Sequence, residues 1–132
     1  MIFLDTHALV WWVTDPKRIP RDATRAIDKS LKKDESLGVS SYSVFELVML
    51  ARRRRLRLSM DFDVWFEKVE ALPALAFFPV DNRIARRAVA LPLETGDPAD
   101  RIIVSTAIEH GATLVSGDKR IRAYDGVRTI WD

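Results

Sequence analysis

At 132 residues, 48% of them hydrophobic, the chain is about one domain long and can bury a core without covalent staples. Cysteine is absent, which excludes disulfides, thiolate catalysis and sulfur-ligated zinc or iron–sulfur sites, and leaves His7 and His110 as the imidazoles. The formal charge of +2 names no partner, and no run approaches the roughly 20 apolar residues of a membrane span, so a soluble, cytoplasmic protein without a basic leader is expected.

Ile2-Phe3-Leu4 predicts a short buried strand, and Asp5-Thr6 the cap of a helix over residues 8–13 that Asp15-Pro16 stops. A second helix is expected from about Pro20, with Ala23, Ala26, Ile27 and Leu31 on one face. Leu37-Gly38-Val39-Ser40 predicts the next strand. The serines at 40, 41 and 43 then open a third helix that runs into the basic block Arg52-Arg53-Arg54-Arg55, and Asp61 or Asp63 caps a fourth around Trp65, Phe66, Val69 and Leu72. Residues 74–80 predict a third strand, Asp81 the cap of a helix through Ile84 and Ala88, and residues 91–96 a loop. A helix opens at Asp97-Pro98 and ends near Gly111; strands are expected at residues 113–115 and 127–131, with Ser116-Gly117-Asp118 as a turn between them. Strands alternating with helices predict a parallel sheet covered on both faces, as one unit over residues 1–132 without repeats or linkers.

Four acids stand in apolar surroundings: Asp5 after the first strand, Glu46 as the one polar residue within 44–51, Asp100 ahead of Ile102-Ile103-Val104, and Asp118 after the fourth strand. Each has a plain structural use. Asp5 suits a helix cap, Glu46 a narrow polar stripe that reaches solvent, Asp97 caps ahead of Pro98 with Asp100 placed as its reciprocal partner, and Asp118 suits an Asx turn, as does Asp81. In a parallel sheet, however, strand-to-helix junctions share the carboxyl edge, where ligands bind at the reversal of strand order, so all four can converge there. Crowded carboxylates repel one another unless protonated or neutralised, and hard divalent cations such as Mg²⁺ or Mn²⁺ are the usual neutraliser. That combination predicts metal-dependent phosphodiester hydrolysis.

Four segments in this order, residues 2–9 (Ile-Phe-Leu-Asp-Thr-His-Ala-Leu), 40–46, 97–103 and 114–118, resemble the PIN-domain ribonucleases, in particular the VapC-type toxins of toxin–antitoxin pairs, over nearly the whole length. The resemblance implies a three-layer α/β/α fold with a central, mainly parallel five-stranded sheet whose strands one and four lie side by side. It implies an acidic site of Asp5, Glu46, Asp100 and Asp118 holding Mg²⁺, or Mn²⁺, with Thr6 and Ser116 as hydroxyl neighbours. Metal-activated water would hydrolyse RNA to a 5′ phosphate and a 3′ hydroxyl, a cognate antitoxin would cover the groove, and the toxin would be a homodimer. His7 lies beside the acids and is expected to be structural or to stand behind the ligands, because imidazole suits transition metals better than Mg²⁺. Trp11, Trp12, Trp65 and Phe66 are divided between core and interface, and the arginine block between RNA phosphates and acidic antitoxin residues. Two other readings compete. A haloacid-dehalogenase-like phosphatase would want an aspartate where His7 stands, and a non-catalytic binding subunit with the same fold would not need all four acids.

Overall fold

Five strands form the middle layer of the protein in a computed structural model that describes residues 1–132. They are β1 (Ile2–Leu4), β2 (Leu37–Ser40), β3 (Leu75–Phe78), β4 (Thr113–Val115) and β5 (Thr129–Ile130), all parallel, in the order β3-β2-β1-β4-β5. Parallel neighbours need long crossovers, and helices supply them: α1 (Thr6–Thr14), α2 (Arg21–Lys32), α3 (Ser41–Arg52), α4 (Phe62–Glu70), α5 (Asn82–Ala90), α6 (Pro98–Glu109) and α7 (Lys119–Arg122). The expected "mainly parallel" sheet is thus wholly parallel.

Alternation along the strands separates two cores. Leu4, Leu37, Val39 and Val115 face one side, where they meet Ala8 and Leu9 of α1, Ile27 of α2 and Trp65 and Val69 of α4. Phe3 and Leu114 face the other, against Ile103, Val104 and Ala107 of α6. Register keeps the faces aligned, since Phe3 pairs with Leu114 and Leu4 with Val115. Burial on both faces explains why these strands are almost purely apolar runs.

The elements expected from the sequence are all present; the first helix is longer than expected, at Thr6–Thr14, and two strands are shorter. The third strand stops at Phe78 because Pro79 has no N–H for the ladder, and the fifth is reduced to Thr129–Ile130, although the Val127 side chain is buried in the second core. Two short elements were not anticipated: a 3₁₀ turn at Pro16–Arg18 and α7, which begins directly on Asp118. Asp61 is the cap of α4, accepting from the Asp63 amide. The arginine block ends α3 in an unusual way. Arg54 adopts a left-handed conformation (φ 55°), and the turn lets the Arg55 amide reach the Leu50 carbonyl at 2.9 Å.

β1 lies between β2 and β4, so the chain builds outward on one side through β2 and β3 and then returns to pair β4 on the other. The crevice between the carboxyl ends of β1 and β4 is therefore where the strand order reverses. Gly38 sets how closely β2 approaches. It pairs with Phe3, and a Cβ built there would lie 2.3 Å from the Phe3 ring, which also packs against Phe78 at 4.9 Å between centroids. Gly38→Ala should displace that ring and cost about 1–3 kcal/mol, read as a lower midpoint in denaturant unfolding. An unchanged midpoint would show that Phe3 is free to move.

Candidate active site

Asp5 follows the last residue of β1, and its amide continues the ladder by donating to the Val115 carbonyl at 3.1 Å. Its Oδ1 accepts from the Ala8 amide at 2.8 Å and caps α1, which leaves the carboxylate nearly buried at the switch point. Asp118 occupies the equivalent place after β4, where its Oδ1 accepts from the Arg120 and Ile121 amides at 2.8 and 3.3 Å. The buried Ser116 hydroxyl holds that turn by accepting from the Asp118 amide. Glu46 reaches in from α3. Thr6 Oγ1 hydrogen-bonds with its Oε1 and with the fully buried Ser43 Oγ at 2.9 Å, so a chain of two hydroxyls ends on the carboxylate.

Asp97 and Asp100 come from the start of α6. Asp97 caps the helix as expected, accepting from Ala99 at 3.0 Å, but Asp100 is not its reciprocal partner. Thr95 takes that part: its hydroxyl accepts from the Asp97 amide at 3.1 Å and bonds Asp100 Oδ2 at 3.3 Å. A reciprocal cap calls for a side chain long enough to reach back along the helix, and aspartate is one methylene shorter than the glutamate usual there. Thr95 is in turn held by Arg101, whose guanidinium donates to the carbonyls of Ala88, Leu91, Leu93 and Thr95 at 2.7–3.1 Å. A fixed fork of N–H donors spent on carbonyls of the last turn of α5 and the loop after it, with no carboxylate partner, shapes residues 88–95 and hence the place of Asp100.

These side chains line one open cleft of about 540 Å³, with His7, Trp11, Trp131 and Arg120 at its sides. The four acids expected from the sequence all reach it, and so does Thr6. Asp97, expected only as a cap, lines it too, although an acid three residues before another on a helix shares its face. His7 is exposed on the wall and is not a packing residue. Ser43 was expected only among the serines that open α3 and Thr95 only within a loop, and neither was linked to the acids that they support. The aromatic set divides: Trp65 is buried in the first core and Phe66 stacks on Phe62, whereas Trp11 faces the cleft.

Burial raises three of the carboxyl pKa values. For Asp5, desolvation exceeds the lowering by Ser116, the Ala8 amide and His7. For Glu46, desolvation leads, Thr6 opposes it, and Asp97 and Asp5 add repulsion. Asp100 is pushed up to about 6 by desolvation and then by the charges of Asp97, Asp118 and Glu46, against the Thr95 bond. No three Asp, Glu or His side chains are gathered into a ready metal cage. The donors are nevertheless all oxygens, they repel one another, and they face an open space. This fits a small hard cation held by a few carboxylates with waters completing its shell, better than one enclosed by protein.

The family profile described as "PIN domain" matches residues 2–127. A curated relative, ribonuclease VapC22 of Mycobacterium tuberculosis, is 37% identical over 98% of both chains. Among solved structures, the VapBC2 complex of Rickettsia felis, bound to a DNA fragment from its promoter, matches with a TM-score of 0.72 at 19% identity over the whole of both chains. FitAcB of Neisseria gonorrhoeae matches at 0.62 and 24% identity over 98% of this chain and 96% of the other. These two support the fold.

Asp100 supplies a sign that can be measured. Its folded pKa lies above the usual 3.8, so its contribution to stability is fully present below that value and is lost as pH rises through about 6. In chelator, the Tm of the protein should therefore fall between pH 5 and pH 7. Asp100→Asn should raise the Tm at pH 7 by roughly a few degrees and flatten the profile. A variant no more stable than wild type at pH 7 would mean that Asp100 bears no such repulsion.

Proposed function

The chain belongs to the PIN-domain family, and we propose that it is a metal-dependent endoribonuclease, the toxin of a toxin–antitoxin pair. The observation that carries the reading is the convergence of Asp5, Glu46, Asp97, Asp100 and Asp118 on one cleft at the switch point of a parallel sheet. The 37% identity to a ribonuclease over 98% of the chain supports the substrate class, and the fold shared with toxin–antitoxin complexes supports the setting.

Asp5, Asp100 and Asp118 would hold Mg²⁺, or Mn²⁺, with Glu46 on the ion or on its water. Such an ion lowers the pKa of bound water and offsets charge on phosphoryl oxygens. Hydrolysis places the water oxygen on phosphorus and breaks the bond to the 3′ oxygen, which leaves as a hydroxyl while the phosphate stays on the 5′ side. The residues supply position and charge for this. Thr6 holds Glu46 by its hydroxyl, and Ser116 fixes the turn that aims Asp118. Thr95, itself held by Arg101, orients Asp100. A carboxylate whose pKa is raised toward 6 also binds protons more readily than a free one, so activity should fall as pH drops below that range.

An antitoxin segment covering the acidic groove, a homodimer and a cytoplasmic setting belong to the same proposal. Phe45, 57% exposed beside Tyr42 on α3, offers apolar surface to a second copy. No helix is long and apolar enough to cross a membrane. The phosphatase reading lapses, because the family match spans the residues it would reinterpret and His7 stands where its second aspartate is required.

Purified protein should cleave single-stranded RNA with Mg²⁺ and lose roughly a hundredfold or more of that rate as Asp5→Asn or Asp100→Asn, both of which should remain folded. Wild-type cleavage by both folded variants would sink the assignment, and an inert wild type would favour a binding subunit. Expression of wild type should also arrest growth, Asp5→Asn should not, and a co-expressed partner should relieve it. Harmless expression of active protein without any partner would leave a nuclease and remove the toxin role.

A further inference from the structure

The acidic cleft does not end at its carboxylates. Trp11 and His7 line it on one side and, on the other, line a second groove of about 630 Å³ in which Arg18, Arg55 and Arg57 outnumber a single acid, Asp15. Those three arginines are exposed and pair with no carboxylate. The Arg18 guanidinium lies over the Trp11 ring, 4.4 Å from its centroid, which holds a free cation at the junction of the two hollows. Arg55 and Arg57 follow the left-handed turn at Arg54 and reach this groove.

Trp131 completes the wall. Its ring centroid is 5.7 Å from that of Trp11 at 42°, and its edge packs where Gly117 has no side chain, so closely that a Cβ there would sit 2.8 Å from the ring. Its carbonyl accepts from the Ala23 amide of α2, which fixes the backbone behind it. Both indoles line the acidic cleft, and Trp11 also lines the arginine groove, so it stands where the two hollows meet. A strand crossing from one hollow to the other would therefore meet oxygen ligands, then aromatic faces, then unpaired guanidinium groups.

We propose that Trp11 and Trp131 form a stacking platform for an unpaired base next to the scissile phosphate, and that Arg18, Arg55 and Arg57 carry the phosphates of the strand beyond it. This rests on the ribonuclease reading and gives the unpaired base and the flanking phosphates of such a strand their places on named residues. Stacking suits that role because every base has a face to offer, and the charge order separates the hollows: phosphates are repelled by the metal-free acids and attracted by the arginines. A duplex keeps its bases paired and has no face to present.

The test uses the full chain and a short single-stranded RNA with one 2-aminopurine, in chelator so that binding is read without cleavage. Wild type should quench the fluorophore at one position of the oligonucleotide. Trp11→Ala should weaken binding by roughly tenfold or more and remove the quench, while Trp11→Phe keeps most of both. Arg18→Ala and Arg57→Ala, which alter exposed side chains, should each lower the log–log salt slope by about 0.7 and leave the quench in place. No position-dependent quench with wild type, or unchanged affinity and salt slope in the folded variants, overturns the platform. If wild type still cleaves RNA with Mg²⁺, only the platform fails and the wall belongs to a protein partner; if it does not, the ribonuclease reading fails as well.

Discussion

Crowding ionised carboxylates at the dry end of a parallel sheet is unfavourable, and much of the structure round the cleft answers that one constraint. Asp5 is stabilised by a backbone amide and by Ser116 beside it, Glu46 by Thr6, Asp100 by Thr95, yet in each case desolvation exceeds what the hydrogen bonds return. The supports are themselves supported. Ser43 stands behind Thr6, and Arg101 commits its guanidinium to backbone carbonyls so that Thr95 has one place to be. Stored electrostatic tension of this kind is useful only if something cationic relieves it.

The fold provides the tension economically. β1 has three residues, yet it is the central strand, flanked by β2 and β4, and its two inward side chains anchor opposite cores. Phe3 lies across Gly38 on one face and Leu4 enters the larger cluster on the other, so the residue that follows has little freedom. Asp5 is placed by the best-buried part of the molecule. Glu46, Asp97 and Asp100 come instead from helices or a loop held by side-chain bonds, and are correspondingly more exposed.

Much of this was legible in the sequence because the same residues answer to local rules. Short apolar runs, capping residues and a glycine beyond a helix located nearly every element, and acids in apolar surroundings marked the site. What was hidden depended on distance. Nothing near Arg101 in the chain announces that it would bind carbonyls as far back as residue 88, and Trp131 meets Trp11 only after the sheet has closed. Asp97 was assigned to structure alone because local reasoning treats capping and catalysis as alternatives; the cleft shows one carboxylate doing the first while facing the second. The reciprocal cap failed for a reason of length that the aspartate at position 100 already carried, while the threonine that replaces it lies outside the helix.

Capping leaves a further mark on the site. Asp5, Asp97 and Asp118 each accept helix amides through Oδ1, and Asp100 bonds Thr95 through Oδ2, so one oxygen of each aspartate is already engaged by the protein. Calcium draws its affinity from many oxygens and often from carboxylates that grip with both. Here a two-handed grip would share the capping oxygen between an amide and the ion, whereas a grip through the other oxygen alone would not compete with the cap. Helix capping would thereby weigh toward one-oxygen ligation, without any residue dedicated to the task.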